Sequence, residues 1–389
     1  MYDYIIIGGG ISGLYLNYLL TKNNKTLLLE KNNHLGGRVY NEKFYDTEIN
    51  TGARVGGLHN KYLMRLIRKL KMPYKKYDEK INIITNEKIN LRKVVKNIIK
   101  KYNSIPQYET KEWTAKQFII KYFGKKLFEE YQRYIEYTDF FENSIETYIK
   151  LYPIVDHIPS VSQKNLIKID WNLLTLKLSE YINKYNEIKT DYNVRKIIYN
   201  NNHYVINNEF KAKKIILCVT INPLISLIKK SNLNIIDYSK YLDSVDFLRI
   251  FTYHKDGHNL KLDNYNIVGG LLHKIIIESD TVLTMVEVDS LRTREWKKIM
   301  YDKEKVIRKL KYEYKKIFNK NIQIDDVKIV YWKNGVHYYK PGDYNLKSLN
   351  KQLIHPYKKM YVCGEICGFT QGWVEGALEC VNKVYKLLN

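Results

Sequence analysis

Three glycines near the start of the chain, Gly8, Gly10 and Gly13, have the spacing Gly-x-Gly-x-x-Gly, and Glu30 follows at the end of the next apolar run. These residue types suit one kind of ligand. The first glycine allows a tight turn, the second lets a pyrophosphate lie against backbone, and the third lets a helix pack closely on a strand. An acidic residue about 20 positions on accepts hydrogen bonds from ribose hydroxyls. It would repel a 2′-phosphate. Farther along, Arg38, Arg54 and Arg249 are fixed cations, able to hold an anion or a water but unable to act as bases.

The elements that must position these groups are legible around them. Tyr4 to Ile7 is a short apolar, β-branched run of the kind that forms a buried parallel strand. From Ile11 onward, Leu14, Leu16, Tyr18, Leu19 and Leu20 predict a mostly buried helix whose N-terminus faces the phosphates with free N–H groups and a favourable dipole. Thr26 to Leu29 supplies a second strand ending at Glu30.

Beyond that unit, Leu35-Gly36-Gly37-Arg38, Met360-Tyr361-Val362-Cys363-Gly364-Glu365 and Gly372-Trp373-Val374-Glu375-Gly376-Ala377-Leu378 resemble the two signatures of the flavin-containing amine oxidase superfamily. That group includes monoamine and polyamine oxidases, L-amino-acid oxidases and protoporphyrinogen oxidase. The resemblance implies a Rossmann-like FAD-binding domain of the p-hydroxybenzoate-hydroxylase-like type, with a mixed-sheet substrate domain and a helical insertion. It also implies a residue-by-residue assignment. Arg38 contacts the FAD pyrophosphate, Gly52-Ala53 passes beside the flavin ring, and Val194 meets the adenine. Gly364 and Glu365 reach the ribityl-pyrophosphate region, and the helix entered through Trp373 and Val374 points at the flavin N1/O2 edge. Trp332 and Tyr338 line the substrate face, and Trp373 stands where monoamine oxidases have an aromatic-cage residue.

The activity implied is oxidation of a C–N bond in an amine or amino acid: hydride passes to flavin N5, an imine leaves and hydrolyses, and O2 returns as hydrogen peroxide. Three alternatives stay open for Arg54: holding a substrate carboxylate, touching the flavin, or a structural ion pair. Arg249 stands where many amine oxidases have a lysine that holds a water, and it is either that water holder or an ion-paired arginine. No cysteine occurs in residues 332–342, where monoamine oxidases bond FAD, so noncovalent FAD is expected. The alternatives to C–N oxidation are a carbon-oxidising enzyme like protoporphyrinogen oxidase and an FAD-retaining structural or redox partner without catalysis.

Composition bounds the rest. Lys+Arg of 65 against Asp+Glu of 41 leaves 65 − 41 = +24, spread along the chain without a concentrated basic block, so nucleic acid is not the expected partner and a polyamine is disfavoured. Four cysteines, Cys218, Cys363, Cys367 and Cys380, suggest a reducing compartment, and no metal site is expected from their spacing. No apolar run has bilayer length, and the expectation is a cytoplasmic protein without signal peptide or membrane anchor.

The expected division assigns residues 1–73, 166–240 and 346–389 to FAD binding, and 74–165 and 241–345 to the substrate domain. Helices are expected at 61–71, within 113–151, at 171–185 and over 292–318. Pro153 and Pro159 mark a linker, Thr220 to Pro223 a loop, and residues 193–219 a meander. Ser244 to Tyr253, 267–271 and 282–286 are expected strands. Val327 to Trp332 is another, followed by a Gly-rich turn over 332–342.

Overall fold

Buried parallel strands must be apolar on both faces, and Tyr2–Ile7 and Thr26–Leu29 meet that demand. They lie side by side in parallel, Ile6 opposite Leu28. The structure, a computed structural model, describes residues 1–84, 90–135, 138–151 and 162–389. In the first sheet the strand order is Glu187–Lys189, Thr26–Leu29, Tyr2–Ile7, Phe210–Leu217, His203–Ile206, Ile197–Asn200, with Met360–Val362 also paired to Phe210–Leu217. The strands from the two ends of the chain thus converge on Phe210–Leu217, which pairs in parallel with both. Helices Ile11–Leu20, Lys61–Lys69, Trp171–Asn183 and Val374–Leu388 pack together and share one core cluster with this sheet.

The second sheet has eight strands, ordered Asp326–Tyr339, Leu242–Tyr253, Val282–Asp289, His273–Ile277, Tyr265–Gly269, Lys75–Ile83, Ser162–Lys168, Gly56–Gly57. Helices Leu91–Asn103, Ala115–Phe123, Lys125–Tyr134 and Ile145–Leu151 form a core with Ile81, Tyr265, Ile267, Ile276 and Val336 of this sheet. Ser290–Lys297 and Lys303–Phe318 build a separate core with Leu248, Ile250, Met285, Val286 and Val327. Thr114 and Gln117 make a reciprocal capping box that starts one helix, and Gly124, at φ +87°, turns the chain into the next.

Four element expectations are corrected. Residues 292–318 are two helices, because Asp302 accepts the Lys305 N–H and starts the second one afresh. Thr220 to Pro223 is not a loop: Thr220 precedes a helix, Ile221–Lys230, with Pro223 in its first turn, where a missing N–H costs nothing. No Gly-rich turn follows Trp332; one strand runs Asp326–Tyr339. Gly335 is there for close approach, since a Cβ on it would lie 2.5 Å from Phe247 Cβ on the neighbouring strand. Lastly, the helix expected over 61–71 ends at Lys69, and Lys71 takes φ +50° ahead of Pro73. The linker marked by Pro153 and Pro159 lies outside the described residues.

Candidate functional site

A cavity of about 410 Å³ runs from the glycine loop to the second sheet, and at its first end the three glycines divide their work as their spacing predicts. A Cβ on Gly13 would sit 2.0 Å from Gly8 O, and one on Gly8 would sit 2.4 Å from Cys218 O, so both are fixed by packing. Gly10 differs. A Cβ there would meet nothing nearer than Gly36 O at 3.9 Å and would occupy the cavity itself. It also precedes the Ile11–Leu20 helix without a side-chain cap, so the helix opens onto the cavity at Gly10, Ile11 and Ser12. Glu30 is held by the N–H groups of Gly9 at 2.6 Å and Asn32 at 2.8 Å, at the rim of the same cavity.

Glu365 ties the middle of the cavity together. Its carboxylate accepts from Arg38 Nη1 (3.1 Å), the His337 backbone N–H (3.1 Å), the Gly372 N–H (2.7 Å) and His337 Nδ1 (2.5 Å). Burial alone would raise its pKa, but the His337 ring, the Arg38 guanidinium and the Gly372 N–H outweigh burial and hold it well below the usual carboxylate range. His337 Nε2 lies 3.1 Å from the Ile221 N–H, while Nδ1 on the other side of the ring faces Glu365. Arg38 Nη1 also reaches Gly335 O at 2.6 Å.

At the far end two arginines are locked by two carboxylates. Arg54 makes a bidentate pair with Glu79 at 2.6 and 2.8 Å, and its guanidinium lies 5.1 Å from the Tyr265 ring centroid. Arg249 Nε lies 2.9 Å from Glu287 Oε2, Nη1 donates to Asn50 O at 2.6 Å, and the guanidinium sits over Phe247. Lys274 Nζ reaches the other Glu287 oxygen at 3.2 Å. Burial would raise the Glu287 pKa, yet Arg249 and Lys274 bring it down to about 2. Trp332 Nε1 donates to Thr51 O at 2.6 Å. Arg249 and Trp332 therefore fasten consecutive carbonyls of the loop that delivers Gly52 and Ala53, where a Cβ on Gly52 would sit 1.9 Å from Arg38 O.

Of the residues singled out in the sequence, Gly8, Gly10, Glu30, Gly37, Arg38, Gly52, Ala53, Arg54, Val194, Arg249, Trp332, Gly364, Glu365, Trp373 and Val374 all line this one cavity. Gly13 lies behind it, as a packing glycine does, and Tyr338 is a half-buried residue of the Asp326–Tyr339 strand away from the lining. The ion-paired readings of Arg54 and Arg249 describe their geometry, while both still border the cavity. Sequence reasoning missed Phe247, Tyr265 and Glu287 in the lining, and Glu79 behind it. Their only local signal is alternation along a strand, which does not distinguish a cavity face from a core face. Among the described residues no group of His, Cys, Asp and Glu is arranged to hold a metal ion, and no helix is long and apolar enough to cross a membrane.

The residues present fit a dinucleotide: an open notch at Gly10, an uncapped helix start, a carboxylate at the rim and a cation at Arg38. Comparison with known proteins agrees with that shape. Residues 6–70 match the family model described as an NAD(P)-binding Rossmann-like domain. A UDP-galactopyranose mutase of Mycoplasma pneumoniae is 48% identical over 42 residues, 10% of each chain. A probable flavin-containing monoamine oxidase A of Dictyostelium discoideum is 32% identical over 108 residues, 26% of this chain and 24% of that one. The matches thus span a tenth and about a quarter of those relatives. Cyclohexylamine oxidase from Brevibacterium oxydans superposes with a TM-score of 0.77 over 100% of this chain and 98% of the other, at 13% identity. The chain accordingly carries a Rossmann-like domain at residues 6–70, within a fold that follows that of cyclohexylamine oxidase along the whole chain.

Proposed function

We propose that this protein is an FAD-dependent oxidoreductase that oxidises the C–N bond of a small amine or amino acid, with O2 as the final acceptor and noncovalent FAD. The observation that carries the reading is the continuity of one cavity from the Gly8–Gly10 cradle and Arg38 to an end walled by Phe247, Tyr265, Trp332 and Trp373. A bound flavin supplies the hydride-accepting chemistry there. The chain's own groups bind and orient. Gly10, Ser12 and Arg38 take the phosphates, Glu30 takes the ribose, and Val194 borders the base. The uncapped start of Val374–Leu388, at the cavity wall, favours the negative charge that gathers on a reduced ring. Residues 1–73, 166–240 and 346–389 form the FAD-binding domain in this reading, and 74–165 and 241–345 the substrate domain.

One observation favours the carbon-oxidising alternative. Arg249 is occupied by Glu287 and Asn50 O, and both carboxylates at that end are paired with arginine, leaving neither available to receive an ammonium group. An anaerobic absorbance scan separates the readings. Bleaching of the oxidised flavin band by a pool of monoamines or amino acids supports C–N oxidation and names the substrate class. Bleaching by dithionite and by a cyclic porphyrinogen, but by no amine pool, replaces it with carbon oxidation.

A further inference from the structure

All four cysteines of the chain come together at one place, although Cys218 lies far before the other three in sequence. Phe210–Leu217 and Met360–Val362 are parallel neighbours with Leu217 opposite Val362, and the Cys363 N–H continues the ladder to Leu217 O at 2.9 Å. Cys218 and Cys363 therefore stand opposite one another one step past the paired residues. Neighbouring strands lie about 4.8 Å apart, inside the range of about 4.4–6.8 Å over which Cα atoms are bridged by a disulfide. Cys218 and, on the Val374–Leu388 helix, Cys380 both act on the ionisation of the Cys363 thiol, as groups close to it do. Cys367 completes the group from the short helix after Glu365.

Access differs among them. Cys363, Cys367 and Cys380 are buried, whereas Cys218 is half-buried; Cys218 and Cys363 both line the cavity beside Gly8 and Gly364. Of the two, the half-buried Cys218 is the more accessible to a small oxidant entering the cavity, with Cys363 beside it. Burial and its thiol neighbours push the Cys363 thiol up, which keeps it a protonated partner in the reduced state.

We infer that Cys218 and Cys363 form a peroxide-sensitive dithiol in the wall of the dinucleotide cavity, Cys218 being the sulfur oxidised first and Cys363 the one that resolves it. The Cys218 thiolate attacks H2O2 and, with a proton taken up, gives the sulfenic acid and one water. The Cys363 thiol then displaces hydroxide from that sulfur, giving the disulfide and a second water. The sum is two thiols plus H2O2 giving one disulfide plus two waters; the dithiol loses two electrons and the peroxide gains them. The inference stands apart from the proposed reaction, since added peroxide supplies the oxidant whatever the substrate is.

The test uses the flavin-loaded full chain, reduced, freed of reductant and titrated with H2O2 at stoichiometric amounts. After denaturation, free thiols are alkylated and the peptides weighed. The expected result is one cross-linked species joining the peptides of Cys218 and Cys363, lighter by two hydrogens, with Cys367 and Cys380 alkylated. Cys218→Ser abolishes the cross-link, and Cys363→Ser leaves a sulfenic acid at position 218 that dimedone traps. If Cys363→Ser does not fold, the wild-type cross-link and its loss in Cys218→Ser still decide the matter. Full alkylation of Cys218 after peroxide treatment, a cross-link excluding Cys218, or its direct passage to sulfinic acid would overturn the inference. Titration with and without excess FAD reads the site's location: the cofactor is expected to slow the cross-linking several-fold, and an unchanged rate would remove the pair from the cavity wall.

Discussion

Gly10 and Gly13 are three residues apart and carry the same atoms, yet a methyl group on each should fail differently. On Gly13 it has no room, being 2.0 Å from a backbone oxygen. Gly13→Ala is therefore expected to separate the first helix from the first strand and leave little soluble protein. On Gly10 the methyl has space in the protein and none beside a pyrophosphate, so Gly10→Ala should retain its circular dichroism and melting transition and lose FAD. Equal loss of fold in both variants would contradict the division of roles.

Glu287 makes a prediction about acid. Its folded pKa, about 2, lies below the ordinary 4.5, so the stability it contributes is fully present above pH ~4.5 and is lost as pH falls toward 2. Those values correspond to about 3 kcal/mol. Denaturation series at pH 7, 5 and 3 should show this slope, and Glu287→Gln should lower stability at pH 7 and flatten the dependence. Glu287→Ala should cost more, on the order of 3–5 kcal/mol, because Arg249 is left buried without its carboxylate. No neighbouring residue in the sequence announces this pair. Arg249 was legible as a cation, but its partner lies on an adjacent strand and becomes visible only through the register Arg249↔Glu287.

Among the elements, the Lys61–Lys69 helix has an unusual starting cap. Asn60 gives it no side-chain bond, and Glu375, from the first turn of Val374–Leu388, accepts the N–H groups of Tyr62 and Leu63 at 2.9 and 3.0 Å. One carboxylate thus caps a helix more than three hundred residues away and stabilises the start of its own. Glu375→Ala is expected to cost about 1–2 kcal/mol, on the scale of a lost cap, read as a lower melting temperature. The elements the sequence revealed are those with a local cause: apolar runs for the parallel strands, the glycine loop, and the apolar face of the helix expected over 61–71, which forms over 61–69. Those it concealed depend on a neighbour. Gly335 suggests a turn until Phe247 is seen pressing against it, and residues 292–318 read as one helix until Asp302 is seen to cap a new one.

At the scale of the molecule, the cofactor prediction concerns attachment and stability. Denaturation in guanidinium should release all flavin into the filtrate, whereas flavin retained by the denatured chain would require a bond for which residues 332–342 offer no cysteine. Free FAD at about 100 times its dissociation constant should stabilise the fold by about 2.7 kcal/mol, seen as a rise in melting temperature with FAD concentration. The charge of +24 has no counterpart in the site, where the buried arginines are matched by carboxylates.

The placement of Tyr2–Ile7 inside the first sheet has a consequence in time. One of its neighbours, Phe210–Leu217, is made some two hundred residues after it. That neighbour in turn waits for Met360–Val362, and Arg38 waits for Glu365. Contacts this distant in sequence form slowly, so Tyr2–Ile7 has Thr26–Leu29 on one side and an unpaired edge on the other until residues 210–217 are made. Such a chain is a natural client for chaperones that shield an exposed strand until its distant partner has been made.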